Sequence, residues 1–542
     1  YTLICIESMK ELKYIIGIVL LVTLNSCANR GRPSGGDYDT KPPVIIKSEP
    51  ENFTKNFNSS EVNILFDEYI KIRNLQKELI ISPPIDPIPE IIPVGAASKD
   101  LTIKGLDTLS PNTTYSFNFG ESIEDNNEGN PFSNFKYVFS TGKYIDSLII
   151  KGYVKDALER EVEEGINVLL YEVDSLYNDS IVYMKKPKYI TKVVDSTSTF
   201  RLENLKTGNY LLIALKEEES ERDYIFQPKS DKIGFAKTFI QIPKDSTAEI
   251  QVFKEDIPFK ISKPKQKTKN SFAFGFEGEL EKFKIDIIEP KDLELQNRIV
   301  KDRDSDTLYY WLKPSLDLDS IKFLVSTKTK IDTFKINLRK NKIDSLQIKS
   351  LQSNVLKFDE NLELHANIPY NKIDVKKIQV LDKDSIQVPF TYELDTTNNI
   401  YKFNISKDQD QSYSFEFLPS AIEDYYGSSN DTLFYKLKTK TYDDYGNLRL
   451  TVRNAVAPMI IQLVNRVGEV KYEQYVEDLN PIEFRHIDAG KYYIRIMFDS
   501  NQNKKYDSGS FLKRKSPEKV SYFPEELDVR AGWDLIQEFI LN

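Results

Sequence analysis

Histidine, cysteine and tryptophan each occur only twice in this 542-residue chain, and methionine only four times. Each scarcity excludes something. Imidazole is the commonest general base and metal ligand near neutral pH. A chain limited to His365 and His486 has little from which to build a histidine-dependent catalytic or zinc site. His365 lies in the alternating stretch Leu362-Glu-Leu-His-Ala-Asn and His486 at a strand–turn junction. Neither has a Cys, Asp or Ser at a catalytic spacing, so both read as structural. Gly-rich phosphate loops, His-Glu-x-x-His and Gly-x-Ser-x-Gly are absent. A basic surplus is missing too: 74 Lys and Arg stand against 83 Asp and Glu, a net charge of −9 and the wrong sign for nucleic-acid phosphates. No catalytic residue is assigned, and the chain reads as non-enzymatic.

The two cysteines are Cys5 and Cys27. Leu24-Asn-Ser-Cys27 resembles a bacterial lipobox, in which a small residue precedes the cysteine that becomes the lipidated first residue of the mature protein. Before it stand a charged segment, Met9-Lys-Glu-Leu-Lys13, and an apolar run from Tyr14 to Leu24, well short of the ~20 residues that span a bilayer. Residues 1–26 therefore read as a signal peptide, with translation starting at Met9 and Tyr1 to Ser8 outside the gene product. Cys5 is then never made, Cys27 carries lipid, and the mature chain holds neither free thiol nor disulfide, so packing alone stabilises it. A diacylated cysteine gives stable anchoring where one acyl chain gives marginal anchoring. The resemblance implies an outer-membrane location. Ala28-Asn-Arg-Gly-Arg32 lacks the acidic cluster of many exported lipoproteins, which leaves the face of the membrane open.

What the chain has in abundance is Tyr and Phe, 31 of each, in alternating runs. Tyr115-Ser-Phe-Asn-Phe119 and Phe283-Lys-Ile-Asp-Ile287 put every second, apolar side chain on one face, as half-buried strands require. Gly, Asn and Asp clusters separate the runs. The chain reads as all-β, a series of tandem β-sandwich modules. Its length suits three to five domains at roughly 150 residues each. Breakers and repeats place a tether at 27–43 and modules at 44–142, 146–255, 270–347, 350–440 and 446–542. The stretch Lys260-Ile-Ser-Lys-Pro-Lys-Gln-Lys-Thr-Lys269 reads either as a linker or as a solvated edge strand.

A duplication runs through this order. Tyr115-Ser-Phe-Asn-Phe119 is followed by Ser122-Ile-Glu-Asp125 and Gly129, and Tyr413-Ser-Phe-Glu-Phe417 by Ala421-Ile-Glu-Asp424 and Gly427. Downstream, Phe200 to Tyr210 matches Phe484 to Tyr492 in pattern: a strand, a Gly-containing turn, then Tyr opening an apolar strand. Two copies of a two-module unit are expected, separated by an extra β-module of unclear type. Each pair should share one strand order.

These residues carry family resemblances. Pro42-Pro-Val44, Ser48-Glu-Pro50, Ile64-Leu-Phe-Asp-Glu68, Leu109-Ser-Pro-Asn-Thr-Thr-Tyr115 and Phe139-Ser-Thr-Gly142 resemble the bacterial Ig-like domain of surface-layer proteins, over 42–142. Residues 350–440 look like a divergent copy. The resemblance implies that Tyr115 and Tyr413 are corner tyrosines whose hydroxyls bond back to the chain. Residues 148–253 and 446–542 resemble transthyretin-like, carboxypeptidase-regulatory modules through Ile150-Lys-Gly-Tyr-Val-Lys-Asp156, Gly165-Ile-Asn-Val168 and Phe200 to Tyr210. No motif marks the trio of an adhesin isopeptide bond. The whole order is similar to Ig-like lipoproteins of Bacteroidetes, families that carry fold and address but little agreed activity.

Two local patterns remain. Asp499, Asn501, Asn503 and Asp507 fall at positions 1, 3, 5 and 9 of a calcium loop, all oxygen donors. Lys504 stands where that loop favours Gly and Ser510 where it wants a bidentate Glu, so the rival reading is an Asn/Asp-rich hairpin turn. No other cofactor is suggested. Trp311 and Trp533 suit sugar stacking or core packing, and packing is expected. The leading functional reading is an outer-membrane lipoprotein, held by Cys27, that serves as scaffold or docking subunit among envelope proteins. The alternative is a surface lipoprotein that binds glycan.

Overall fold

In Glu61-Val-Asn-Ile-Leu-Phe66 every second side chain is apolar, and Val62, Ile64 and Phe66 are fully buried while Glu61 and Asn63 face water. That rule of alternation builds nearly the whole molecule. The computed structural model describes residues 39–218, 223–290, 294–314 and 319–541, so Cys27 and residues 1–26, expected to be a signal peptide, lie outside the described residues. Apart from Ser82–Pro84, the chain divides into one compact unit up to Ile145 and a second from Asp146 onward.

The first unit holds β1 (Ile45–Glu49), β2 (Glu61–Ile72), β3 (Ile80–Ser82), β4 (Glu90–Ile92), β5 (Ser98–Lys104), β6 (Thr114–Asn118), β7 (Ile123–Asp125) and β8 (Lys136–Ser140). One sheet runs β1-β2-β5-β4, with β7 on the far end of β2, and the other runs β3-β6-β8. Between them lies an aromatic core around Phe139, whose ring sits 4.0 Å from Phe57 and 5.6 Å from Tyr115. Each such ring stabilises the fold by about 1.5–3 kcal/mol.

The second unit opens with β9 (Leu148–Asp156), β10 (Asn167–Glu172), β11 (Tyr189–Lys192), β12 (Thr199–Leu205), β13 (Gly208–Lys216), β14 (Lys232–Phe235), β15 (Ile240–Ile242) and β16 (Thr247–Phe253). Their order is β11-β10-β13-β14-β16-β9-β12, with β15 on β13, and β16 runs parallel to β9. Gly152 makes that parallel pairing fit. A Cβ there would lie 1.8 Å from the Ala248 carbonyl and 2.8 Å from the Phe200 ring.

The third module packs the sheet of Lys260–Ile261, Ser271–Glu277, Thr307–Lys313 and Gln296–Lys301 against Phe283–Glu289, Ser320–Thr327 and Ile331–Asn337. The basic stretch is its edge strand and not a linker. Phe259 and Ile261 turn into the core, while lysines on the opposite side stay in water.

In the fourth module, Ile348–Ser350, Leu362–Ala366, Ile400–Ile405 and Phe390–Asp395 repeat β1-β2-β5-β4. Ile378–Leu381, Ser412–Phe417 and Leu433–Lys438 repeat β3-β6-β8. The one change is a break at Pro369, which cannot donate to a ladder. The counterpart of β2 resumes at Tyr370–Ile373 and still pairs Ile422–Asp424, as β2 pairs β7.

The fifth module holds Tyr445–Arg453, Met459–Val464, Val470–Val476, Ile482–Asp488, Gly490–Phe498, Val520–Tyr522, Leu527–Val529 and Asp534–Ile540. These repeat the second module's pairings, including the parallel one, Asp534–Ile540 on Tyr445–Arg453. In the second module β14 also pairs the last residues of β16 and joins everything into one sheet. The fifth keeps two sheets. Both module pairs therefore share a strand order, as the duplication requires.

Candidate functional site

The corner tyrosines sit as the resemblance implied. The Tyr115 hydroxyl accepts the Ser110 N–H at 2.9 Å, and the Tyr413 hydroxyl accepts the Asp408 N–H at 2.8 Å. Both rings are buried, so these bonds lock a strand entry and do no chemistry.

His365 lies half-buried in the Leu362–Ala366 strand, and burial, helped by Arg303, holds its pKa below the ordinary imidazole value. His486 occupies a left-handed turn (φ 56°) with its ring 4.7 Å from Phe358 and stacked 5.4 Å from Tyr442. Burial lowers its pKa as well. Among the described residues no group of three or more His, Cys, Asp or Glu side chains is set to hold a metal ion.

The tryptophans part company. Trp311 is buried and packs with Val300, Ile368 and Tyr425 where the third module meets the fourth. Trp533 is 53% exposed, its ring 5.0 Å beneath the Arg530 guanidinium, which corrects the expectation of core packing. It follows Gly532 (φ 72°) at the tip of the last turn, where the chain reverses and the side chain points out.

Asp499, Asn501, Asn503 and Asp507 do come together, in the long insertion between Gly490–Phe498 and Val520–Tyr522. Asp499 is buried, and its two oxygens accept the Asn503 and Lys504 N–H groups at 3.1 and 2.8 Å. The Asn503 amide donates to Asp507 at 2.9 Å, and the Asn501 amide donates to the other Asp507 oxygen. Lys504 adopts φ 64°, the conformation for which Gly is favoured there. Glu518 closes the base by accepting the Ser500 and Asp507 N–H groups. The oxygens proposed for calcium thus brace a turn.

Above this brace the insertion reaches the second module. Phe511 is fully buried against Phe235, at 5.6 Å, and Tyr183, at 6.5 Å. The Arg514 guanidinium lies 4.6 Å over the Phe511 ring and 5.6 Å over Phe235, pairs with Asp179 at 2.5 Å and donates to the Tyr177 hydroxyl at 3.0 Å. The Phe511 N–H donates to the Glu255 carboxylate and the Ser508 hydroxyl to the Lys254 carbonyl. Below the clasp, the buried Arg495 guanidinium reaches Glu159 at 3.4 Å and the Tyr522 hydroxyl donates to the Leu158 carbonyl at 3.0 Å. Burial raises the pKa values of Glu159, Glu255 and Asp256 at this contact.

Side chains also join the other modules of this unit. Lys229 pairs with Glu277, the Tyr426 hydroxyl donates to the Leu312 carbonyl, and Lys357 and Lys440 both pair with Asp488. Each module thus touches the next, and the fifth closes back on the second. The clasp was missed from sequence. Its one local signal is the insertion itself, longer than the loop at the same place in the second module.

Residues 39–141 match the family model of the bacterial Ig-like domain. No curated protein matches the chain. Among solved structures, the Bacillus anthracis TIE protein aligns over 94% of this chain and 76% of its own at 10% identity, with a TM-score of 0.14. The S-layer protein rSbsC(31-844) aligns over 90% and 67% at 11% identity, TM-score 0.15. The I9–I11 tandem of titin aligns over 52% and 100% at 10% identity, TM-score 0.12. At such TM-scores these likenesses carry no argument. The Ig-like assignment of the first module stands on the family match and its strand order, and the protein is an Ig-like domain protein of all-β build.

Proposed function

We propose that this chain is a non-enzymatic lipoprotein of the Bacteroidetes type, anchored in the outer membrane through lipidated Cys27. There it serves as a scaffold or docking subunit of a cell-envelope protein complex. The observation that carries this reading is how the second unit is joined. Each of its modules has a hydrophobic core of its own, the third and fourth also share the cluster of Val300, Trp311, Ile368 and Tyr425 and the bond from the Lys301 N–H to the Thr397 carbonyl, and the fifth is returned onto the second. Such a build sets several surfaces side by side on one chain, which is what a scaffold does. Membrane fractionation of Cys27→Ala tests the anchor: normal processing and continued association with the outer membrane would end it. Affinity purification of the native protein tests the complex. Stoichiometric envelope proteins should copurify, and recovery of the chain alone from mild detergent counts against the docking role.

A second reading, a glycan-binding surface lipoprotein, has one observation in its favour. A cleft of about 730 Å³ lies where the third module meets the fourth, lined by Phe283, Arg298, Lys301, Thr397 and Asn399. An apolar floor with a few polar groups at a domain boundary is the usual make of a small-ligand site. Protease added to whole cells discriminates: a protein shielded in intact cells captures no external polysaccharide.

A further inference from the structure

The contact between the second and fifth modules differs in kind from the folds it joins. Among the described residues no strand of one pairs with a strand of the other, and the main cores of the two share no residue. Separating them breaks contacts in which a side chain takes part on at least one side, and leaves the strand pairings of both modules whole. The contact is also lopsided. Phe511 is fully buried while its neighbour Leu512 is 55% exposed, so the turn offers Phe511 to the pocket with Arg514 laid over it. It is a preformed ligand as well. Ser510 and Lys515 exchange backbone hydrogen bonds at 2.8 and 2.9 Å, closing the turn, and the Asp499–Asp507–Glu518 brace holds it below. Gly509 lets it sit close, since a Cβ there would fall 2.5 Å from the Phe253 ring. Little order is lost on docking, the condition for tight but reversible binding.

We propose that the outer face of the second module, from Asp179 and Tyr183 to Phe235 and Phe253, is a receptor surface for a Phe-x-x-Arg turn. Residues 506–517 of the fifth module fill it in cis as a releasable latch. The recognition chemistry is specific. The pocket takes an aromatic ring, Glu255 takes that residue's N–H, and Asp179 with Tyr177 takes a cation three residues on, itself stacked on the buried ring. A partner bearing such a turn competes for the same place, and its docking swings the fifth module away.

The test uses the full mature chain with Cys27→Ser, and a fluorescent synthetic peptide of residues 506–517 as the probe. In the wild type the cis segment acts at an effective concentration near millimolar, so the peptide is shut out. In Phe511→Ala/Arg514→Ala the pocket is bared, and the peptide should bind roughly tenfold or more tightly than to the wild type. Adding Asp179→Arg should remove that gain, while a peptide carrying Arg514→Glu should regain it on that background. Circular dichroism matching the wild type keeps the result free of misfolding. X-ray scattering should show a larger maximum dimension for the double variant. Equal peptide binding by wild type and variant, indifference to Asp179→Arg, or an unchanged scattering profile overturns the proposal.

Discussion

The second and fifth modules have the same eight strands and, apart from the β14–β16 link that joins the second into one sheet, the same pairings, yet their outward faces differ. On the inner side, Ile250 and Val252 are matched by Phe539 and Leu541, all buried. On the outer side of the same strand, Thr247 lies opposite Lys151, and its counterpart Ile536, opposite Arg449, is 81% exposed. Even the shared core is filled differently. Gly152 faces Phe200, and the corresponding pair is Leu450 and Ile482. The space is conserved and its division is not.

The contrast is sharpest at one buried acid. Glu217 and Asp499 occupy the same place, just past the end of corresponding strands, and each accepts two backbone N–H groups from its own loop. Glu217 has a second carboxylate oxygen with no partner among the described residues, and desolvation pushes its pKa up to about 7. Burial also works against Asp499, but the N–H groups of Lys504 and Asn503 outweigh it and its pKa falls below the ordinary carboxylate value. One position, two signs.

Breaking the shared core should have the largest effect. Gly152→Leu puts a side chain where Leu450 has one, but against the Ala248 carbonyl, and should cost the second module about 4 kcal/mol or more. Hydrogen exchange should show β9 and β16 unprotected and the fifth module untouched; protection retained in β9 would mean that the parallel pairing is looser than it looks. The acid pair comes next. A raised folded pKa gives stability that is complete below the unfolded value and is lost as pH rises through about 7. The second module should therefore weaken between pH 5 and 8 by a few kcal/mol, and Glu217→Gln should flatten that slope. A lowered pKa gives stability that is present above the unfolded value and lost as pH falls through the folded one. The fifth module should hold across pH 5 to 8 and weaken only below pH ~4. Parallel slopes for the two modules, read by exchange of local probes, would refute the contrast.

Smaller effects sharpen the comparison of the first module with the fourth. Tyr115→Phe and Tyr413→Phe each delete one hydrogen bond to a strand entry and should cost about 1 kcal/mol in their own modules. Unequal losses, measured by denaturant unfolding followed module by module, would show that the two corners are no longer equivalent. The smallest effect is that of calcium. With the Asp499 oxygens holding backbone N–H groups, millimolar calcium should leave the melt of the fifth module where chelator leaves it. Asp499→Ala should lower that melt with or without the ion, by about 1–3 kcal/mol. A rise with calcium that Asp499→Ala abolishes would make the brace a metal site.

Much of this was legible from the chain alone. Period-two alternation placed the strands, because adjacent side chains in a strand necessarily face opposite ways. The repeated Tyr-Ser-Phe-x-Phe and Ile-Glu-Asp runs implied one strand order for two modules, because the same inward pattern selects the same pairing. These are local rules, written residue by residue. Tertiary structure alone decided the rest. Trp311 and Trp533 share the expectation of core packing, but one meets a neighbouring module and the other meets water. Lys260–Lys269 became an edge strand because a sheet lay beside it to accept Ile261. The calcium-like spacing of Asp499 to Asp507 gave no sign that the loop's own N–H groups reach the Asp499 carboxylate and its own amides the Asp507 carboxylate. Phe511 and Arg514 carry no local mark at all. Their role exists only where the fifth module folds back to the second, and contacts between surfaces distant in the chain leave no period in the sequence to be read.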